Sequence, residues 1–132
     1  MSDLISYHKV TSFELDSWGH VNNSVYLNYL EKARNDYLNQ RGLPFSKFKE
    51  WGVFPVLLKS VVEYKQPAFA DDELVIHGTV SDHSAITFTL QYTITRKDND
   101  STIAIGETRH VFVNKSNKPT RIPREFFEKF IK

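Results

Sequence analysis

The chain of 132 residues contains no cysteine, which excludes a disulfide framework, a thiol nucleophile and a thiolate-bound metal. The same absence fits a reducing compartment. No charge of one sign dominates: 17 Lys and Arg face 16 Asp and Glu, mixed along the chain, for a formal charge of +1. Without a basic tail or stripe there is no electrostatic footprint for nucleic acid. No run approaches the ~20 apolar residues of a membrane-spanning helix. The opening MSDLISYHKV lacks the apolar core of a secretory signal. The expectation is a cytoplasmic protein with neither a membrane nor a nucleic-acid partner. Repeats, linkers and low-complexity segments are missing as well, so residues 1–132 read as a single domain.

Signatures of several chemistries are also missing. The histidines at 8, 20, 77, 83 and 110 show no H-x-x-x-H or similar spacing, so no metal site is expected. No serine lies in a G-x-S-x-G elbow, which removes support for an α/β-hydrolase mechanism. No G-x-G-x-x-G or phosphate-binding loop occurs, so no bound dinucleotide or nucleoside triphosphate is implied.

What is present is bulky. Ten Phe, six Tyr and two Trp, within a chain that is 40% hydrophobic and 25% charged, supply one core without staples. Residues 4–13 read as a first strand, ending in Thr11-Ser12-Phe13. Asp16-Ser17-Trp18-Gly19-His20 is polar and turn-prone, and Asn22-Asn23-Ser24 then offers several helix caps. The following helix should end at Gly42, just before Pro44. At 100° per residue Tyr26, Leu30, Ala33 and Tyr37 form its apolar stripe. Val25 and Tyr29 widen that stripe on one side, Leu27 and Leu38 on the other. So wide an apolar face predicts a helix wrapped by a curved sheet; cover by a neighbouring loop or helix is the plainer alternative.

After a short helix at 45–50 the chain reads as β. Strands are expected over 53–65, 73–80, 85–95 and 102–114, with a closing helix over 124–132. The cleanest alternation places Ile86, Phe88, Leu90, Tyr92 and Ile94 on one face, with Thr87, Thr89, Gln91, Thr93 and Thr95 on the other. Short turns force neighbouring strands antiparallel, so the class is α+β.

The stretch from Asp16 to Leu27 resembles the signature of hot-dog thioesterases of the 4-hydroxybenzoyl-CoA thioesterase type, in the subgroup written D-x-x-G-H-V-N-N-x-x-Y-L. Plant acyl-ACP thioesterases carry a related D-x-x-x-x-H-V-N-N stretch. The likeness continues weakly through Glu31 and Ala33-Arg34, and the strand order and the closing Val111-Phe112-Val113 segment also agree. It implies a hot-dog fold, an antiparallel sheet around one long helix, and hydrolysis of an acyl thioester such as acyl-CoA. The family's catalytic carboxylate falls on Asp16, and the backbone N–H that polarises the thioester carbonyl falls at or near Asn23. His20 either fixes the loop or assists proton transfer. Gly19, Val21, Asn22 and Tyr26 complete the substrate-binding segment. The bland readings are that Asp16 is a turn residue and that Asn22 and Asn23 are caps. Glu31 is the second carboxylate to consider, because some hot-dog thioesterases carry their acid on the helix.

The chemistry is self-consistent. Free N–H groups at a helix start stabilise an oxyanion, and a thiol of pKa ~8.5 leaves without a strong general acid. Asp16 then acts as nucleophile or as general base. No cofactor is expected beyond the CoA of the substrate itself. Its phosphates call for cations, and Lys59 and Lys65, with Arg96 and Lys97, are candidates against the simpler reading of solvated surface charge. The resemblance further implies a homodimer joined at sheet edges, or a homotetramer. An acyl-ACP thioesterase, a hot-dog dehydratase or hydratase, and a non-catalytic acyl-binding domain are the competing functions.

Overall fold

A computed structural model describes residues 4–132. Strand β1 (Leu4–Lys9) leads into a 3-10 turn at Ser12–Glu14, then helix α1 (Val25–Gln40) and the short helix α2 (Phe45–Trp51). Four long strands follow: β2 (Val53–Tyr64), β3 (Glu73–His83), β4 (Thr87–Arg96) and β5 (Thr102–Asn114). All neighbours are antiparallel, in the order β1-β3-β4-β5-β2.

Three segments depart from the expected pattern. The first strand stops at Lys9 rather than 13, because Ser12–Glu14 coils to bring the chain toward the helix start. Strand β3 continues past residue 80 to His83, over a bulge between Val80 and Asp82 that the alternation does not reveal. The closing segment is one α-turn, Arg124–Phe126, running into a π-turn, Phe127–Ile131. That wider turn places Phe126, Phe130 and Ile131 inside together.

Helix α1 buries Tyr26, Tyr29, Leu30, Ala33 and Tyr37 against the concave face of the sheet. Leu27 does not join them: it is 45% exposed, one step off the stripe. The sheet contributes Leu74 and Ile76 from β3, Phe88, Leu90, Tyr92 and Ile94 from β4, and Ala104 and Phe112 from β5, all buried. A side chain at Gly78 would collide with the Tyr37 ring at 2.6 Å, so the missing Cβ lets helix and strand approach. One helix wrapped by one curved antiparallel sheet is the α+β hot-dog arrangement that the resemblance implies. Phe48, Phe88, Phe112, Phe126 and Phe130 pack ring against ring, some edge to face and some tilted. Among the described residues no helix is long and apolar enough to cross a membrane.

Candidate active site at the start of helix α1

The loop before α1 is closed by an isolated bridge between Leu15 and Val21. Inside it, Asp16 N–H donates to the His20 carbonyl at 2.7 Å, and Gly19 N–H donates to the Asp16 carbonyl at 3.1 Å. So tight a loop needs a left-handed residue, which Gly19 supplies at φ 81°. Asp16 Oδ1 accepts from the Trp18 N–H at 2.8 Å and from the His20 N–H at 3.1 Å. This is the bland role of an Asp before a helix. It occupies one carboxylate oxygen; Oδ2 has no donor among the described residues. Asp16 lines a hollow of about 320 Å³ together with His20, Val21, Asn23, Tyr26, Tyr64 and Lys65.

Asn22 and Ser24 behave differently from the caps expected of them. Ser24 occupies the N-cap position in helical geometry and makes no side-chain cap bond. Its N–H and hydroxyl both donate to Asn22 Oδ1, at 3.0 and 2.9 Å. Asn22 N–H donates to the Glu14 carbonyl and Val25 N–H to the Asn22 carbonyl, each at 2.9 Å. The chain therefore turns two residues before the cap, and Asn22 does the turning. Asn23 N–H donates to no described acceptor, while its carbonyl accepts the Tyr64 hydroxyl at 3.0 Å. The first turn of α1 carries no acidic residue, so nothing within the helix offsets its positive end.

His20 contributes its backbone to Asp16 and sets its imidazole edge-on against Phe69, ring centres 5.2 Å apart. The ring makes no hydrogen bond to a described residue. Tyr26 is buried between Tyr29 and Tyr64, and burial pushes its phenol up, so it stays protonated. Lys65 stands at the mouth of the hollow, 3.7 Å from Glu63. Lys59 is not near it. It lies on the outer face of the sheet, 4.0 Å from Glu107, whereas Lys65 falls beyond the end of β2 and leaves the strand's alternation. Arg96 is not a free cation either: it donates to Asp72 at 3.1 Å, Ser101 at 2.9 Å and the Pro67 carbonyl at 2.9 Å, bracing the wall of the hollow. Lys97 lies over the Tyr7 ring at 5.7 Å. Glu31 lines a separate, largely aromatic cavity of about 380 Å³. Tyr64 and Gln66 line the Asp16 hollow without having been singled out in the sequence, since only strand pairing carries the end of β2 to the start of α1.

That second cavity ends on a buried polar chain. Arg34 donates to the Tyr92 hydroxyl at 3.2 Å, Tyr92 and Thr108 share a bond of 2.6 Å, and His110 Nε2 lies 3.0 Å from Thr108 Oγ1. Burial, aided by the Arg34 charge, lowers His110 from the usual 6.5 to about 3. Between those values the unfolded chain takes up a proton that the folded one refuses. Stability from this group is therefore complete above pH 6.5 and is lost as pH falls toward 3. Urea unfolding at several pH values from 4 to 7 should show a slope approaching ~1.4 kcal/mol per pH unit from this one proton. His110→Phe, which keeps the stacking on Phe88, should flatten that slope. Identical slopes in both proteins would remove His110 as its source.

The model of the "Thioesterase-like superfamily" matches residues 10–130. A protein of Aquifex aeolicus (strain VF5) is 37% identical over 120 residues, covering 91% of each chain. The long-chain acyl-CoA thioesterase FadM of Escherichia coli (strain K12) is 29% identical over 126 residues, 92% of each. The chloroplastic acyl-acyl carrier protein thioesterase ATL3 of Arabidopsis thaliana is 27% identical over 123 residues, 93% of this chain and 65% of the plant protein. A crystal structure of an Aquifex aeolicus protein superposes with a TM-score of 0.89 at 35% identity, covering 96% of this chain and 98% of the other. With the family matched across most of its length and on this fold, the chain belongs to the thioesterase-like superfamily, whose chemistry is acyl thioester hydrolysis.

Proposed function

We propose that this protein hydrolyses an acyl-CoA thioester to the free acid and CoA, with Asp16 as its carboxylate and the Asn23 N–H as its oxyanion donor. One observation carries the reading: Asp16 and Asn23, whose N–H has no acceptor among the described residues, line the same hollow at the positive end of α1. A thioester carbonyl there receives the Asn23 N–H, while Asp16 attacks the carbon or removes a proton from water. The thiol leaves as thiolate, so no general acid is required of His20. Lys65 at the mouth offers a cation to a CoA phosphate. An acyl carrier protein ester is the second reading, favoured by the likeness to ATL3 over 93% of this chain.

The reading includes a second copy of the chain. Strand β2 lies at the sheet edge and exposes Val56, Leu57, Leu58 and Val61 by 37–56%. An open apolar edge of this kind is a template for pairing.

Release of free thiol should be followed with aliphatic and aromatic CoA esters and with acyl carrier protein esters, alongside sedimentation of the protein. Turnover of CoA esters by a species of at least two chains is expected. Turnover of carrier-protein esters alone moves the activity to the second reading. Binding without release from any ester leaves an acyl-binding domain and ends the hydrolase reading.

A further inference from the structure

Two residues before Asp16, Glu14 gathers more polar contacts than any other side chain of the loop. Its Oε1 accepts the Thr11 N–H at 3.0 Å and the Tyr29 hydroxyl at 2.9 Å, and His8 Nε2 lies 3.1 Å from both carboxylate oxygens. His8 also packs on the Tyr29 ring, centres 4.5 Å apart. The main-chain carbonyl of Glu14 accepts the Asn22 N–H at 2.9 Å. One residue thus joins β1 through His8, the Ser12–Glu14 turn through Thr11, the buried face of α1 through Tyr29, and the segment before Asn23 through Asn22.

The Glu14 and His8 side chains are each only 16% exposed. Burial raises the Glu14 carboxyl, but the bonds from Thr11, His8 and Tyr29 outweigh it and hold the group below the usual carboxylate range. Burial and the facing carboxylate push the Tyr29 phenol far up, so Tyr29 remains a donor. Such a cluster is far more than a surface turn needs. Asp16 and Asn22 flank the loop at its two ends, and both are tied to Glu14, one by sequence and one by a hydrogen bond.

We infer that Glu14 is a positioning residue, setting the Asp16 carboxylate and the Asn23 amide relative to each other through its contacts to His8, Thr11, Tyr29 and Asn22. The inference rests on the proposed reaction only for its kinetic consequence; the geometric claim stands on the loop alone. Displacement of reacting groups by about 1 Å costs roughly 10²-fold in rate. Glu14→Ala should therefore lower kcat by about that factor with KM nearly unchanged. Glu14→Gln keeps an oxygen acceptor for Thr11 and Tyr29 and should recover part of the loss. Tyr29→Phe should lower kcat in the native background and have no further effect in Glu14→Ala, since the hydroxyl acts through that carboxylate.

The experiment pairs these kinetics with amide hydrogen exchange at Trp18 and His20, whose N–H groups report whether the Asp16 carboxylate is in place. Faster exchange at both in Glu14→Ala, with a fall in kcat per folded molecule, is the expected result. Unchanged exchange with unchanged kcat would overturn the inference. So would a loss of stability alone with kcat per folded molecule intact, which is a structural role only. If Glu14→Ala does not fold, Glu14→Gln and Tyr29→Phe decide by the same two readouts. If the native protein hydrolyses no thioester, the proposed function falls, and the exchange rates still judge Glu14.

Discussion

Asp16→Asn is expected to lower kcat for thioester hydrolysis by roughly 10³-fold, within the range of a positioned acid–base group, while leaving the melting temperature nearly unchanged. The substitution is chosen for what it keeps. An amide oxygen can still accept the Trp18 and His20 N–H groups that Asp16 Oδ1 accepts at 2.8 and 3.1 Å, so the loop holds its course. The Leu15–Val21 bridge and the main-chain bonds between Asp16 and His20 or Gly19 do not involve the side chain. What disappears is the negative oxygen left over for substrate. Both routes need it, since an amide neither attacks a carbonyl usefully nor takes a proton from water. Retained turnover in Asp16→Asn would exclude Asp16 as the acting group and return Glu31, on the rim of the other cavity, to consideration. Equal loss of activity and of folded protein would mean that the residue only shapes the turn.

The largest effect on stability is expected at Gly78, where Gly78→Ala should cost about 3 kcal/mol, the upper part of the usual range for overpacking a filled core. An added Cβ would meet Tyr37 Cε2 at 2.6 Å, and Cζ and the hydroxyl oxygen at 3.0 Å. Neither partner can retreat cheaply. Tyr37 is fully buried and its hydroxyl donates to the Ile76 carbonyl at 2.7 Å, on the same strand as Gly78. Strand β3 is held on both sides, by β1 and by β4. Tyr37→Leu should be destabilising alone, yet the pair Gly78→Ala and Tyr37→Leu should cost clearly less than the sum of the two. Urea midpoints of the four proteins test this. Strict additivity would show that the helix moves away from the sheet freely, against the close packing described above.

Much of this architecture is legible without the fold. The apolar stripe Tyr26, Leu30, Ala33 and Tyr37 is a property of one helix and follows from its 3.6-residue period, which holds whatever packs against it. The buried set Phe88, Leu90, Tyr92 and Ile94 follows in the same way from the two-residue period of β4. Asp16, Gly19 and the open helix start are likewise local, because a turn and a helix end are made by consecutive residues. These are the parts that periodicity and spacing establish unaided.

Contacts between distant segments escape that kind of reading. The helix cap expected of Asn22, Asn23 and Ser24 is replaced by an Asn22 turn, because Asn22 N–H is claimed by Glu14 across the loop. Lys59 and Lys65 separate because β2 ends at Tyr64 and Lys65 lies beyond its strand alternation. Glu14 reads as an ordinary acidic residue until His8 on β1 and Tyr29 on α1 converge on it. Tyr64 reaches Asn23 only because the order β1-β3-β4-β5-β2 leaves β2 at an edge with its far end beside the helix start. The division has a physical cause. Backbone sterics and local periodicity act over a few residues, so the chain carries its helix, its strands and the turn at Asp16 in its own letters. Which side chains meet around that turn depends on long-range pairing, whose free energy is shared by segments that no short window contains.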